Sequence, residues 1–235
     1  MFNKFYKDKK VLITGHTGFK GAWLTIWLKE LGADIVGYSL DPAYQNGIYN
    51  LSKISDSIID YRKDLRDFSQ LLEVFNKEKP EIVFHLGAQA LVIDGYSSPL
   101  QTFQTNTMGT ANVLEAIRLT DSVTTAVMVT TDKVYENKEW IWPYREEETI
   151  GGYDPYSASK GACELIISSY RNSFFNTNKY DDHGKAIASV RAGNVIGGGD
   201  WCENRIIPDC IKSIEKNEVI EVRSPNAVRP WQHVL

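Results

Sequence analysis

One stretch near the start, Val11-Leu-Ile-Thr-Gly-His-Thr-Gly-Phe-Lys-Gly21, limits the possible folds more than any other. Four strand-forming residues run straight into Gly15, Gly18 and Gly21, and an apolar pattern at helical spacing follows. A strand that turns at once into a helix needs glycine at the corner, where a side chain would block both the turn and the close packing behind it. Leu24, Trp27, Leu28 and Leu31 fall on one helical face, and Gly32 stands where the helix should stop. A bare turn at a helix start presents unpaired N–H groups, which suit a pyrophosphate.

Three glycines at this spacing also occur in ordinary surface turns, so the next segment decides. Asp34-Ile-Val-Gly-Tyr-Ser-Leu-Asp41 reads as a second strand ending in an acid. Asp41 comes about 20 residues past the last glycine, where a carboxylate holds a ribose diol. No Lys or Arg lies between Lys29 and Lys53. Nothing in that stretch neutralises a 2′-phosphate, which favours NAD over NADP.

The rest of the chain alternates apolar runs with helical patterns, the mark of βαβ units and a parallel sheet. Strands are expected at Ser57–Asp64, Glu81–Gly87, Thr125–Thr131 and Ala186–Arg191. Between them fall a helix through Phe68, Leu71, Leu72 and Phe75, a single long helix from Pro99 to Leu119, and a helix from Ser157 to about Phe175. A short helix around Ile206 to Lys216 and the alternating run Val219-Ile-Glu-Val-Arg223 close the pattern. The expected fold is α/β, a Rossmann-type doubly wound parallel sheet over residues 1–193, with the start of a smaller substrate-binding unit at 194–235.

With 43% hydrophobic and 24% charged residues, the 235-residue chain has an ordinary globular composition. A net charge of −4 leaves no electrostatic footprint for nucleic acid or an anionic membrane, and no apolar run reaches bilayer length. Cys163, Cys202 and Cys210 are odd in number and lack C-x-x-C pairing, so they read as free thiols of a reducing cytoplasm. His16 and His85 have no second ligand at metal spacing, and no metal is expected.

In doubly wound sheets, ligands lie beyond the carboxyl ends of the strands. Asp64, His85, Asn106, Thr130 to Lys133 and Asn194 gather there. Tyr156-Ser-Ala-Ser-Lys160 puts a tyrosine and a lysine at i and i+4 of a helix. An ammonium beside a phenol favours the phenolate and makes a usable base. A lone Y-x-x-x-K is more often a pair on a helix surface. Following a dinucleotide turn in the same chain, it reads as catalytic.

These motifs together resemble the extended short-chain dehydrogenase/reductase family. The resemblance implies that Tyr156 is the base for a sugar hydroxyl, that Lys160 binds the nicotinamide ribose, and that Thr131 shares the substrate hydrogen bond. It assigns to NAD the turn residues Gly15, His16, Thr17, Gly18, Phe19, Lys20 and Gly21, with Asp41, Asp64, Leu65, Leu86, Gly87, Ala88 and Thr130. Gln89, Asn106, Asn194 and Arg229 are assigned to substrate, the last two toward a diphosphate.

Thr130-Thr-Asp-Lys-Val-Tyr-Glu-Asn137, Arg191-Ala-Gly-Asn-Val-Ile-Gly-Gly-Gly-Asp-Trp201 and Arg229-Pro-Trp-Gln-His-Val234 narrow the likeness to nucleotide-sugar 4,6-dehydratases, in the branch acting on CDP-glucose. The implied reaction is oxidation at carbon 4, elimination of water across carbons 5 and 6, and return of the hydride to carbon 6. Lys133 is implied as the carbon-5 base and Asp132 as the acid for the departing hydroxyl. Ile93 stands where related dehydratases often carry an arginine. Family members continue past this chain's last residue by about a small domain, so an incomplete substrate lid is expected. The family usually forms homo-oligomers, dimers or tetramers. A 4-epimerase or a dTDP- or GDP-sugar dehydratase would keep the Tyr–Lys pair, and a non-catalytic NAD sensor typically loses it.

Overall fold

The computed structural model describes residues 2–235. Strands β1 (Lys10–Thr14), β2 (Asp34–Ser39), β3 (Ile59–Arg62), β4 (Ile82–His85), β5 (Thr125–Thr131) and β6 (Ala186–Ala192) form one sheet. Its order is β3-β2-β1-β4-β5-β6, and every neighbouring pair is parallel. The chain reverses direction across the sheet between β1 and β4. A crevice opens at such a reversal beyond the strand ends, and the ligand-binding candidates converge on it.

Alternation along β1 sends its side chains to two cores. Val11 and Ile13 pack with Leu28 of helix α1 (Phe19–Glu30), whereas Leu12 joins Leu71, Phe75, Leu114 and Ile167 on the opposite face. That face is covered by α3 (Phe68–Glu78), α6 (Gly109–Leu119) and α7 (Pro155–Ser173); the short α2 (Ile48–Leu51) precedes α3, and the short α4 (Val92–Ser97) and α5 (Pro99–Phe103) lie between α3 and α6. Each such buried leucine or phenylalanine contributes about 1.5–3 kcal/mol.

At helix α1, Leu24 and Leu31 pack with Leu28 against the β1 core as expected, but Trp27 does not join them. The helix's most buried residues are Gly21, Ala22, Thr25 and Leu28, while Trp27 is only half-buried and meets Phe2 at 5.8 Å between ring centroids. The small residues let the helix lie close against the sheet, and apolar size alone does not reveal that face.

The long helix expected over 99–119 is interrupted. A π-type turn, Gln104–Met108, separates α5 from α6, and α4 precedes them where no helix was expected. One extra residue in the turn aims Asn106 into the interior, a use to which such insertions are often put. Helix α7 begins at Pro155, capped by Asp154, whose carboxylate accepts from the Ser157 amide at 3.0 Å.

After β6 the chain forms a second sheet of β7 (Asn194–Ile196) and β8 (Trp231–His233), parallel and in register Asn194↔Trp231. Two small helices, α8 (Tyr180–His183) before β6 and α9 (Ile206–Glu215) after β7, complete the elements. Val219–Arg223 is exposed and irregular, because no neighbouring strand pairs its backbone among the described residues. No helix there is long and apolar enough to cross a membrane.

Candidate active site

The glycine turn is built by contact. Gly15 has φ +74°, and a Cβ on it would lie 2.7 Å from the Gly87 amide nitrogen. A Cβ on Gly21 would lie 2.1 Å from the Gly15 carbonyl oxygen. Gly18 differs: a Cβ there would meet only the Gly15 oxygen, at 3.4 Å. Two glycines are thus required by the protein's own packing, and the third keeps a cradle clear. Gly18 precedes α1 with no side chain capping the helix, so the first amides of a twelve-residue helix face that cradle. This arrangement fits a dinucleotide pyrophosphate.

The walls of the turn are tied internally. Thr14 Oγ1 bonds His85 Nδ1 at 2.7 Å and accepts from the Gly87 amide at 3.1 Å, and His85 Nε2 meets Thr110 Oγ1 at 3.1 Å. Complete burial, with Lys160 nearby, pushes His85 down to about 3, so it stays neutral and joins β1 to β4. Thr17 Oγ1 bonds Ser39 Oγ at 2.9 Å and donates to the Leu40 carbonyl at 3.0 Å. Burial also pushes His16 below its ordinary value; its Nε2 donates to Asp60 at 2.9 Å.

At the other expected cofactor positions, Asp41 is exposed. The Asp64 carboxylate is paired with Arg66 at 2.6 Å, and those hydrogen bonds hold it below the usual carboxylate range. Leu65 is buried where a Cβ on Gly87 would strike it, and Leu86 packs beneath β1 while Ala88 leads into the loop after β4. The absence of Lys and Arg from 30–52 does not leave the end of β2 without a cation. Arg62 lies opposite Ser39 in the sheet, and its Nη1 donates to the Leu40 carbonyl at 3.3 Å.

A cavity of about 700 Å³ opens beside the turn. Lys20, Thr131, Lys133 and Tyr156 form one side, and Asn194, Arg205, Arg229 and Trp231 the other. Thr131 ends β5 and caps the short turn Asp132–Val134, with its hydroxyl donating to Asp132 at 3.1 Å. Lys133 and Asp132 approach at 3.7 Å. The turn therefore sets Thr131, Asp132 and Lys133 side by side next to Tyr156.

The Tyr156–Lys160 pair differs from expectation. Both are buried on one face of α7, but the Lys160 ammonium donates to the Val129 carbonyl at 3.3 Å and makes no hydrogen bond to the phenol. Burial pushes Tyr156 up to about 12, and Thr131 and Arg205 draw it down only in part. Desolvation outweighs the cationic neighbours here. Lys20 carries the opposite sign: burial, then Arg205, Lys160 and Lys133, push its ammonium down to about 8.

Asn106 does not fit its assignment as a substrate ligand. It is fully buried; its carbonyl accepts from the Gln89 amide at 2.8 Å, and its amide donates to the Gln89 carbonyl at 3.0 Å and Ser159 Oγ at 2.9 Å. Its polar group is spent joining the loop after β4 to α7. Gln89 likewise folds its side chain onto Leu91. Asn194 lines the cavity from β7, and Arg229 is exposed at its rim.

Two arginines tied to the site were not singled out from the sequence. Arg205 reaches the cavity paired to Asp200 at 3.0 Å, and its only local signal is its place just before α9. Arg191 pairs with the buried Glu164 at 3.0 Å, and Glu164 also accepts from Thr130. Glu164 follows Lys160 by one helical turn, which puts the two on one face of α7.

Residues 12–235 match the family described as GDP-mannose 4,6 dehydratase. The chain is 49% identical over 231 residues to the CDP-glucose 4,6-dehydratase of Salmonella typhimurium, covering 98% of this chain and 64% of that protein. It thus spans less than two thirds of that relative. An epimerase structure from Methanothermobacter thermautotrophicus matches with a TM-score of 0.82 at 24% identity, over 98% of this chain and 66% of the other. A dTDP-glucose 4,6-dehydratase from Bacillus anthracis, solved with NAD, matches with a TM-score of 0.78 at 20% identity, over 96% of this chain and 68% of the other.

Proposed function

Since this chain belongs to the GDP-mannose 4,6-dehydratase family, we propose that it carries the catalytic half of an NAD-dependent nucleotide-sugar 4,6-dehydratase acting on CDP-glucose. The observation that carries the reading is the adjacency of Thr131 and Lys133 to Tyr156 at one cavity, with Asp132 bonded to Thr131 and beside Lys133. A simple dehydrogenase or a 4-epimerase needs the tyrosine but neither the aspartate nor the lysine. A dehydratase needs both, because it must also remove a proton at carbon 5 and protonate a departing hydroxyl.

The glycine turn, Thr17, Leu65 and the Leu86–Ala88 segment would hold NAD, and Lys160 its nicotinamide ribose. When bound, NAD supplies an acceptor for the carbon-4 hydride and a donor for its return to carbon 6. Tyr156 takes the proton of the sugar 4-hydroxyl; Thr131 and Arg205 are the groups that pull its phenol toward ionisation. The carbon-4 ketone acidifies the carbon-5 proton, which Lys133 removes. Asp132 then protonates the 6-hydroxyl as it leaves as water, and Lys133 returns its proton to carbon 5 once carbon 6 has its hydride. Asn194 and Arg229 bind the diphosphate, and residues 194–235 begin the unit that holds the nucleotide. The protein works as a homo-oligomer in the cytoplasm.

The 49% identity to a CDP-glucose enzyme supports that sugar over its dTDP and GDP counterparts. Retention of both Tyr156 and Lys160 supports catalysis over NAD sensing. The test is incubation with CDP-, dTDP-, GDP- and UDP-glucose in turn. The alkaline absorbance of the 4-keto-6-deoxy product is read, and bound NAD is measured on the same sample. Product from CDP-glucose alone is expected. Product from another sugar alone would replace the substrate, and absence of NAD binding would remove the reading.

A further inference from the structure

In sheets of this order, the adenosine ribose of a dinucleotide lies at the carboxyl end of β2. A cation there ordinarily favours a 2′-phosphate. Arg62 is such a cation, yet its guanidinium is committed. Besides its bond to the Leu40 carbonyl, Nη2 donates to the Tyr49 hydroxyl at 2.7 Å and to Asp60 Oδ2 at 2.9 Å. The guanidinium also stacks over the Tyr49 ring, 4.7 Å from its centroid.

Asp60 is the hub of this arrangement. Its Oδ2 accepts from Tyr49 at 2.5 Å as well as from Arg62, and its Oδ1 accepts from His16 at 2.9 Å. A carboxylate only accepts, so His16 Nε2 carries the proton. His16 is fully buried, and a Cβ on Gly37 would lie 2.4 Å from its ring, so the imidazole cannot shift toward β2. One carboxylate therefore links the glycine turn to the end of β3. It faces a single charged cation, Arg62, beside a neutral imidazole.

We propose that Asp60 is a specificity-determining positioning residue: by holding Arg62 against Tyr49 in an ion pair, it withholds that guanidinium from a 2′-phosphate and selects the non-phosphorylated dinucleotide. The proposal rests on the chain binding NAD. It accounts for NAD selectivity in a sheet whose edge carries an arginine. Asn in place of Asp60 keeps one acceptor oxygen, facing either His16 or Tyr49, turns an amide toward the other, and removes the charge that binds Arg62.

Dissociation constants for NAD and NADP are measured by titration calorimetry on the wild type, Asp60→Asn, Arg62→Ala and the double variant. The wild type is expected to prefer NAD. The ratio of the NADP to the NAD constant should fall at least tenfold in Asp60→Asn and return to the wild-type value in the double variant. In Arg62→Ala alone, both constants should change together, so that the ratio stays within twofold. An unmoved ratio in a folded Asp60→Asn protein that still binds NAD overturns the proposal. A selective loss of NADP affinity in Arg62→Ala overturns it too, even where Asp60→Asn does not fold, because Arg62 would then already be serving the phosphate. Wild-type protein that binds neither dinucleotide removes the cofactor reading and takes this proposal with it.

Discussion

The two walls of the cleft are made on different terms. On the glycine-turn side, most polar groups are paired within the protein: Thr14 with His85, His85 with Thr110, His16 Nε2 with Asp60, and Asp64 with Arg66, while His16 Nδ1 is left without a partner. Backbone meets backbone so closely that Gly15 and Gly21 admit no side chain. On the far side, residues 194–235 present Arg223 and Arg229 among exposed Ile206, Ile207, Ile211 and Trp231. The first wall is suited to recognise by shape and unpaired amides. The second offers charge and apolar surface, with Arg205 and Arg223 paired to acids and Arg229 bonded only to its neighbouring carbonyl. A change on the first wall should therefore be felt as stability, and one on the second as affinity.

The largest effect expected falls at Gly21. Gly21→Ala drives a methyl into the Gly15 carbonyl, with no flexible side chain to give way, and should cost about 3 kcal/mol or more in a denaturant melt. Gly18→Ala has space and should stay folded while losing NAD affinity by at least tenfold in calorimetry. Equal melting losses for the two would break the distinction between a packed glycine and a cradle glycine.

Tyr156 sits where the walls meet. Tyr156→Phe should retain its circular dichroism spectrum while product formation from CDP-glucose falls roughly 10²–10⁴-fold. Asp132→Asn should still reduce bound NAD transiently on adding substrate yet release no dehydrated product. Normal dehydration by that variant would remove Asp132 from its role.

The turn-side network has a pH signature. His85 is about 3 in the folded chain and near 6.5 when exposed, so the unfolded state binds the extra proton between those values. Its contribution is fully present above about 6.5 and is lost as pH falls toward 3, by about 1.4 kcal/mol for each pH unit. His85→Gln should flatten that slope when melts are compared between pH 6 and pH 4, and an unchanged slope would contradict a neutral buried imidazole. His16, also held low by burial, adds to the slope in both proteins.

The smallest structural effect belongs to the far wall. Arg229 bonds only the neighbouring Val228 carbonyl, at 2.8 Å. Arg229→Ala should leave stability within about 0.5 kcal/mol. It should weaken nucleotide-sugar binding about tenfold or more, as loss of a charge-assisted contact does. A large drop in melting temperature would show that this wall is braced after all.

Some of this was legible in residue order. The strand–turn–helix at Val11–Gly21, the order of alternating strands and the i, i+4 spacing of Tyr156 and Lys160 all depend on contacts within a few residues. Other features were hidden. Val219–Arg223 has the apolar residues of a strand but its backbone pairs with no strand among the described residues, while Trp231–His233 pairs with β7 through a register no local pattern announces. The π turn at Gln104–Met108 exists because Asn106 finds Gln89 and Ser159 inside, and neither lies on its helix.

The sequence by itself determined the fold class, the glycine turn, the Thr131–Lys133 and Tyr156–Lys160 motifs, and so the family. Those are set by local backbone demands and by short apolar periods, which a chain must satisfy before distant parts meet. Only the tertiary structure decided which groups stay free to meet a ligand. Asn106 is consumed, Arg205 is brought in, Lys160 turns to Val129, and Arg62 is held by Asp60. Each outcome is a competition for hydrogen-bond partners in a desolvated space, and it is settled by which strands and helices become neighbours.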